Sequence, residues 1–177
     1  ARLDGKGTVV DVKARDAEGA VFQVDVQVVI YEALPERMLF NWATLYSRQL
    51  KEGEEYEELK TVTSIWVMPR KLWKQDRLHH HCFQVWDKNA NMVLSQHFSV
   101  HTLELGKWAP AAGSSLTGED IWVHFLRDAH EWLTLPEPLA DLPVMRQAMT
   151  TLKQFSDDEI QHFEYLSRLD REREQRT

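Results

Sequence analysis

The sequence has a single cysteine, Cys82, so no disulfide can form within the chain, and a reducing, cytoplasmic setting is expected. No apolar run approaches the ~20 residues that cross a bilayer, which excludes a membrane-spanning helix. The first residues carry no signal-peptide pattern. Positive charge is in deficit: 21 Lys and Arg stand against 28 Asp and Glu, a net charge of −7. That balance argues against a protein that coats nucleic acid. It leaves room for an enzyme that meets DNA through a local basic patch. Internal repeats and low-complexity linkers are also absent. What is there is ordinary for a globular protein, 43% hydrophobic and 28% charged over 177 residues. That length suffices for one domain with a sizeable core, or a domain plus a small extension.

Thr8–Arg15 and Ala20–Ile30 alternate in polarity around Asp16–Gly19, which predicts a β-hairpin. Leu34, Met38, Trp42, Leu45 and Tyr46 recur at helical spacing, and Pro35 suits a first turn, so a helix is expected over Pro35–Leu50. Thr61–Met68 reads as a strand. His80–Asp87 and Met92–Leu105 read as a second hairpin turning at Lys88–Asn91. Beyond Gly113-Ser114-Ser115 the pattern becomes helical, with helices expected over Glu119–Leu133 and Val144–Phe155. Ser156–Glu159 fits a capping box and places a last helix from Asp157 towards Arg173.

If the first loop is Ala17-Glu18-Gly19, with Gly19 in the left-handed conformation, Asp11 falls opposite Asp25 and Lys13 opposite Gln23. One face of the hairpin then holds Val10, Val12, Phe22, Val24, Val26, Val28 and Ile30, the expected core face. The other holds Asp11, Lys13, Arg15, Gln23, Asp25 and Gln27, and its ordinary reading is a face that meets water. Two details pull against that reading. Asp is a poor strand residue, and like charges directly opposite each other destabilise a strand pair. A cation between Asp11 and Asp25 would offset the repulsion. Mg²⁺ suits the position, because it is held by one or two carboxylates plus waters and substrate phosphate.

Val10-Asp11-Val12-Lys13-Ala14 followed by Val24-Asp25-Val26-Gln27 resembles the D…(D/E)xQ core of the Rpn family of recombination-promoting nucleases and putative transposases, within the PD-(D/E)xK superfamily. Arg37–Leu50 is similar to the helix after the motif strand, and His81-Cys82-Phe83 and Thr102–Lys107 are similar to later strands ending in ELxK. The resemblance implies an α/β (α+β) fold: a restriction-endonuclease-like mixed-sheet core with a flanking helix over residues 1–112, and a helical extension over 113–177 packed on it. The helix that precedes the first motif strand in relatives is expected to be missing from this sequence. The implied activity is metal-dependent DNA endonuclease chemistry linked to recombination or transposition. Asp11 and Asp25 would bind Mg²⁺ or Mn²⁺, Gln27 would stand in the place of the catalytic lysine, and Arg37 and Tyr46 match helix positions that face the site. The implied partner is double-stranded DNA; a homodimer is compatible with this class, and a membrane partner is not expected.

Arg70, Lys71, Trp73, Lys74 and Arg77 form the best local basic run, with an aromatic that would suit stacking in a phosphate track. The bland alternative is a solvated loop. His79-His80-His81 reads as structural or surface histidines, since neighbours on a strand alternate faces and only His79 and His81 would share one. Cys82 reads as an inert core thiol and the seven tryptophans mostly as core. The rival to the nuclease is a catalytically inactive nuclease-like fold that serves as a protein- or DNA-interaction module. A small-ligand β-barrel is disfavoured by the long helix between strands.

Overall fold

The computed structural model describes residues 10–110 and 115–153, with the backbone alone at Val10 and Asp11. The capping box expected at Ser156–Glu159 and the helix expected after it lie outside the described residues. Strands β1 (Val10–Arg15) and β2 (Val21–Val26) form the first hairpin in the register read from the sequence, Asp11 opposite Asp25 and Lys13 opposite Gln23. Its loop explains the register. The Asp16 carboxylate accepts hydrogen bonds from the backbone N–H of Glu18 at 3.1 Å and of Ala20 at 2.8 Å. Gly19 closes the turn at φ +89°, a conformation that side chains beyond glycine adopt at a cost.

Helix α1 (Leu34–Ser47) carries the chain back, so β3 (Val62–Met68) runs parallel to β2. A parallel pair needs such a crossover. The second hairpin comprises β4 (His80–Phe83) and β7 (Phe98–Glu104), with a small two-stranded ribbon, β5 (Trp86–Asp87) and β6 (Met92–Val93), at its tip. β7 lies parallel to β3, giving a mixed sheet in the order β1-β2-β3-β7-β4. The α/β mixed-sheet core is therefore present as expected.

The two faces of β2 correct the sequence reading. Gln23, Asp25 and Gln27, on the face whose ordinary reading was contact with water, are 3%, 1% and 5% exposed. Phe22, Val24, Val26 and Val28, assigned to the core, are only half-buried, and Val12 is exposed. The helix packs on this side of the sheet. α1 packs its Leu34 and Met38 against Trp66, Met68, Phe98 and Val100. These share a face with Asp25, because Asp25 pairs with Trp66 across the sheet. A central strand in a parallel arrangement is covered on both sides, and here the polar side belongs to the face on which the helix packs. Each large apolar side chain buried there contributes about 1.5–3 kcal/mol. The opposite face packs Val67 with Leu105, Trp108 and Val123.

Val123 belongs to α2 (Gly118–Asp128), which ends earlier than the Glu119–Leu133 expected and is followed by a short 3₁₀ turn at Ala129–Glu131. α3 (Pro143–Lys153) completes a satellite core with Phe125, Leu139, Met145 and Met149. α2 opens on a capping box: Thr117 Oγ1 accepts from the Asp120 backbone N–H at 3.2 Å, and the Asp120 carboxylate accepts from the Thr117 backbone N–H at 2.9 Å. Asp120 also accepts from the buried Trp108 indole at 2.7 Å. Those bonds from Trp108 and Thr117 hold its carboxyl below the ordinary range. Asp120→Ala is expected to cost about 1–3 kcal/mol by urea denaturation, from the lost cap and an orphaned indole N–H. Trp66 and Trp108 are core residues as expected, whereas Trp86 and Trp122 are exposed, at the hairpin tip and on the outer side of α2. No helix among the described residues is long and apolar enough to cross a membrane.

Candidate functional site

Across the face covered by α1, the register sets five residues in one row: Asp11, Asp25, Trp66, Thr102 and His81, one from each strand of the sheet. Gln27 lies on the same face one pleat beyond Asp25, near the carboxyl end of the parallel strands, where open α/β sheets bind their ligands. Its backbone N–H still donates to Val67 at 2.9 Å, which extends the pairing of β2 with β3 and fixes the side chain's direction. Gln23, one pleat before Asp25, is buried with its Oε1 accepting no hydrogen bond among the described residues.

Of the two helix residues expected at the site, the structure brings one. Arg37 Nη1 donates to Gln27 Oε1 at 3.2 Å and to Tyr31 Oη at 3.2 Å, and the guanidinium lies 5.6 Å from the centre of the Trp66 ring. Tyr46 is nine residues further along α1, about 13 Å at the helical rise. Its hydroxyl bonds His97 Nδ1 at 3.0 Å and its ring stacks on Trp42. It therefore braces the other end of the sheet and is not part of the group around Asp25.

The basic run occupies the loop from β3 to β4, and a buried ion network that sequence reasoning missed bolts that loop down. Glu104, fully buried at the end of β7, accepts from the backbone N–H groups of Leu72 at 2.7 Å and Trp73 at 3.2 Å and from Lys107 Nζ at 3.0 Å. Lys107 also reaches Asp76 at 3.1 Å, and Asp76 meets His81 Nε2 at 3.2 Å. Burial opposes the charge on Lys107, but the bonds to Glu104 and Asp76 outweigh it and raise its pKa. Gly106 lets the chain pass: a Cβ there would stand 2.8 Å from the Pro69 carbonyl oxygen. The signal in the sequence was Glu104-Leu105-Gly106-Lys107, which spacing alone could not assign to a loop clamp. Lys71, Lys74 and Arg77 are exposed and Arg70 is half-buried. Trp73 corrects the stacking expectation. Its indole donates to Thr102 at 3.2 Å and its ring packs against His81 and Phe83, so it is turned inward.

Residues 1–177 match the family model described as PD-(D/E)XK nuclease family transposase. The chain belongs to this family. No curated protein and no solved structure matches it. The mixed five-stranded sheet flanked by helices is the α/β, restriction-endonuclease-like core expected of a PD-(D/E)XK chain. Proteins of this class generally use divalent metals. Among the described residues no three His, Cys, Asp or Glu side chains form a group that could hold a metal ion. Mg²⁺ does not need three, since one or two carboxylates with waters and a substrate phosphate complete its shell. The in-register aspartates of β1 and β2 fit that donor set.

His79, His80 and His101 of this nuclease-family chain lie outside that row. His79 Nε2 meets Glu119 Oε1 at 3.1 Å and His80 Nδ1 meets Glu119 Oε2 at 2.8 Å, so the first turn of α2 is pinned to the start of β4. His79 and His80 therefore act together, rather than His79 and His81, because β4 begins only at His80 and His79 is not bound by strand alternation. His80 Nε2 and His101 Nδ1 are 2.8 Å apart, in stacked rings. The structural reading of these histidines agrees with that role. Cys82, by contrast, is exposed on the edge strand, 3.7 Å from His101 Nε2, and is no core thiol. Burial, with His80 alongside, holds the His101 pKa below 6.5, and the Glu119 carboxylate opposes this only weakly. The unfolded chain then takes up this proton first. The stability this provides is complete above about pH 6.5 and is lost as pH falls from there through the lowered folded value. Urea denaturation at pH 7.5, 6.5 and 5.5 is expected to show that decline, and His101→Asn is expected to flatten it.

Proposed function

We propose that this protein is a Mg²⁺- or Mn²⁺-dependent endonuclease acting on double-stranded DNA in recombination or transposition. The observation that carries the reading is the facing pair Asp11 and Asp25 on adjacent strands, with Asp25 buried one pleat before Gln27, which Arg37 of α1 reaches. Asp11 and Asp25 would hold the ion, and when bound it supplies activation of a water and neutralisation of charge on the scissile phosphate. The chain's own part is positioning. β1 and β2 set Asp11 opposite Asp25 through their ladder, and Asp25 lies buried on the face that α1 packs. Lys71, Lys74 and Arg77 would meet backbone phosphates, holding the duplex without reading its sequence. Residues 113–177 would form a helical extension on the core of residues 1–112.

The experiment is direct. Supercoiled plasmid is incubated with the protein and Mg²⁺ or Mn²⁺, with EDTA as control. Relaxed circles that depend on the ion are the expected result. Intact supercoiled DNA with both ions would overturn the reading and favour the inactive interaction module.

A further inference from the structure

The PD-(D/E)XK pattern places a lysine two residues after its second acidic residue, and this chain has Gln27 there. A glutamine carries no charge to offset the negative charge that builds on a phosphate under attack. Its amide is also committed. Nε2 donates to the Val29 carbonyl, Oε1 accepts from Arg37, and the side chain is buried. Gln27 therefore has little left to offer a substrate.

Arg37 has what Gln27 lacks. The guanidinium is charged at any working pH, and its fork of N–H groups matches phosphate oxygens. It sits over Trp66, which neighbours Asp25 across one strand spacing, about 4.8 Å. Among the described residues no carboxylate lies within ion-pair distance of Arg37. Nη1 serves Gln27 and Tyr31, while Nη2 and Nε donate to no described residue. A cation that is half-buried, held by a ring face and two hydrogen bonds, and with no carboxylate of the described residues at ion-pair distance is placed to await an anion.

We propose that Arg37 is the catalytic cation of this site, contacting the scissile phosphate in place of a lysine at position 27, with Gln27 as the positioning residue that orients it. The inference rests on the endonuclease reading and adds to it which side chain supplies the charge. Arg37→Ala is expected to lower kcat for plasmid nicking about 100-fold, with a much smaller change in KM. Arg37→Lys keeps the charge and is expected to stay within about tenfold of the parent. The decisive variant is Gln27→Lys combined with Arg37→Ala. A lysine reaching from the neighbouring side chain is expected to restore at least about tenfold of the lost rate, which a merely structural role for Arg37 would not allow. A second readout needs no activity. Anisotropy of a labelled duplex in EDTA is expected to show several-fold weaker binding for Arg37→Ala than for Arg37→Lys. Thermal unfolding of each variant separates misfolding from lost chemistry. Arg37→Ala nicking at the parental rate, or a double variant no better than Arg37→Ala, would overturn the proposal while leaving the endonuclease reading in place. A parent that does not nick would overturn both.

Discussion

Asp25→Asn is expected to reduce metal-dependent plasmid nicking at least about 100-fold, and Asp11→Asn to do the same. Asparagine keeps the size of the side chain but not the charge that holds a hard cation. The two positions act as one unit, so the double variant is expected to be no worse than either single one. Stability gives an independent check. The ion binds the folded chain, so Mg²⁺ is expected to raise the parent's thermal midpoint by mass action and to leave that of Asp25→Asn unmoved. In EDTA the order changes. Asp11→Asn removes one of two like charges set opposite each other in the ladder, and is expected to unfold no earlier than the parent. Asp25→Asn nicking at the parental rate, with its midpoint still responding to Mg²⁺, would refute the assignment of the pair.

Glu104→Ala is expected to cause the largest loss of stability, about 3–5 kcal/mol by urea denaturation. The carboxylate has no exposed surface, and its removal leaves the Lys107 ammonium, whose own side chain is 2% exposed, with Asp76 alone to balance it among the described residues. It also orphans the backbone N–H groups of Leu72 and Trp73. A domain with a net stability of about 5–15 kcal/mol would be left close to unfolding. Glu104→Gln retains an acceptor for those two N–H groups and is expected to cost less, about 1–3 kcal/mol. Pairing Glu104→Ala with Lys107→Met removes the half-balanced buried charge but not the orphaned N–H groups. That pair is expected to recover part of the loss and not all of it. A Glu104→Ala variant within about 1 kcal/mol of the parent would show that the network does not clamp the loop.

The hairpin was legible because its signals are local. Asp16, Gly19 and the alternation on either side determine the turn, and the turn determines that Asp11 faces Asp25. α1 was legible from the spacing of Leu34, Met38 and Trp42, and the second hairpin from its turn at Lys88–Asn91. The burial of the polar face of β2 was not legible, since alternation shows that two faces differ and not which one a helix will cover. Trp73 read as a stacking residue because it lies among basic residues; its inward turn depends on Thr102 and Phe83 on other strands. Tyr46 and Arg37 looked equivalent on the same helix, but about two and a half turns separate them, and only Arg37 lies at the end of α1 near Gln27.

The sequence by itself determined the hairpin register, the helix that follows it and the family, because each depends on neighbouring residues or on a pattern kept along the chain. Only the tertiary structure decided that Asp25 and Gln27 are buried, that Arg37 comes to Gln27, and that Glu104 clamps the basic loop. The partners in those contacts lie 10 to 32 residues apart. Which side chains meet over such separations depends on how helix and sheet pack together, and no local pattern encodes that choice.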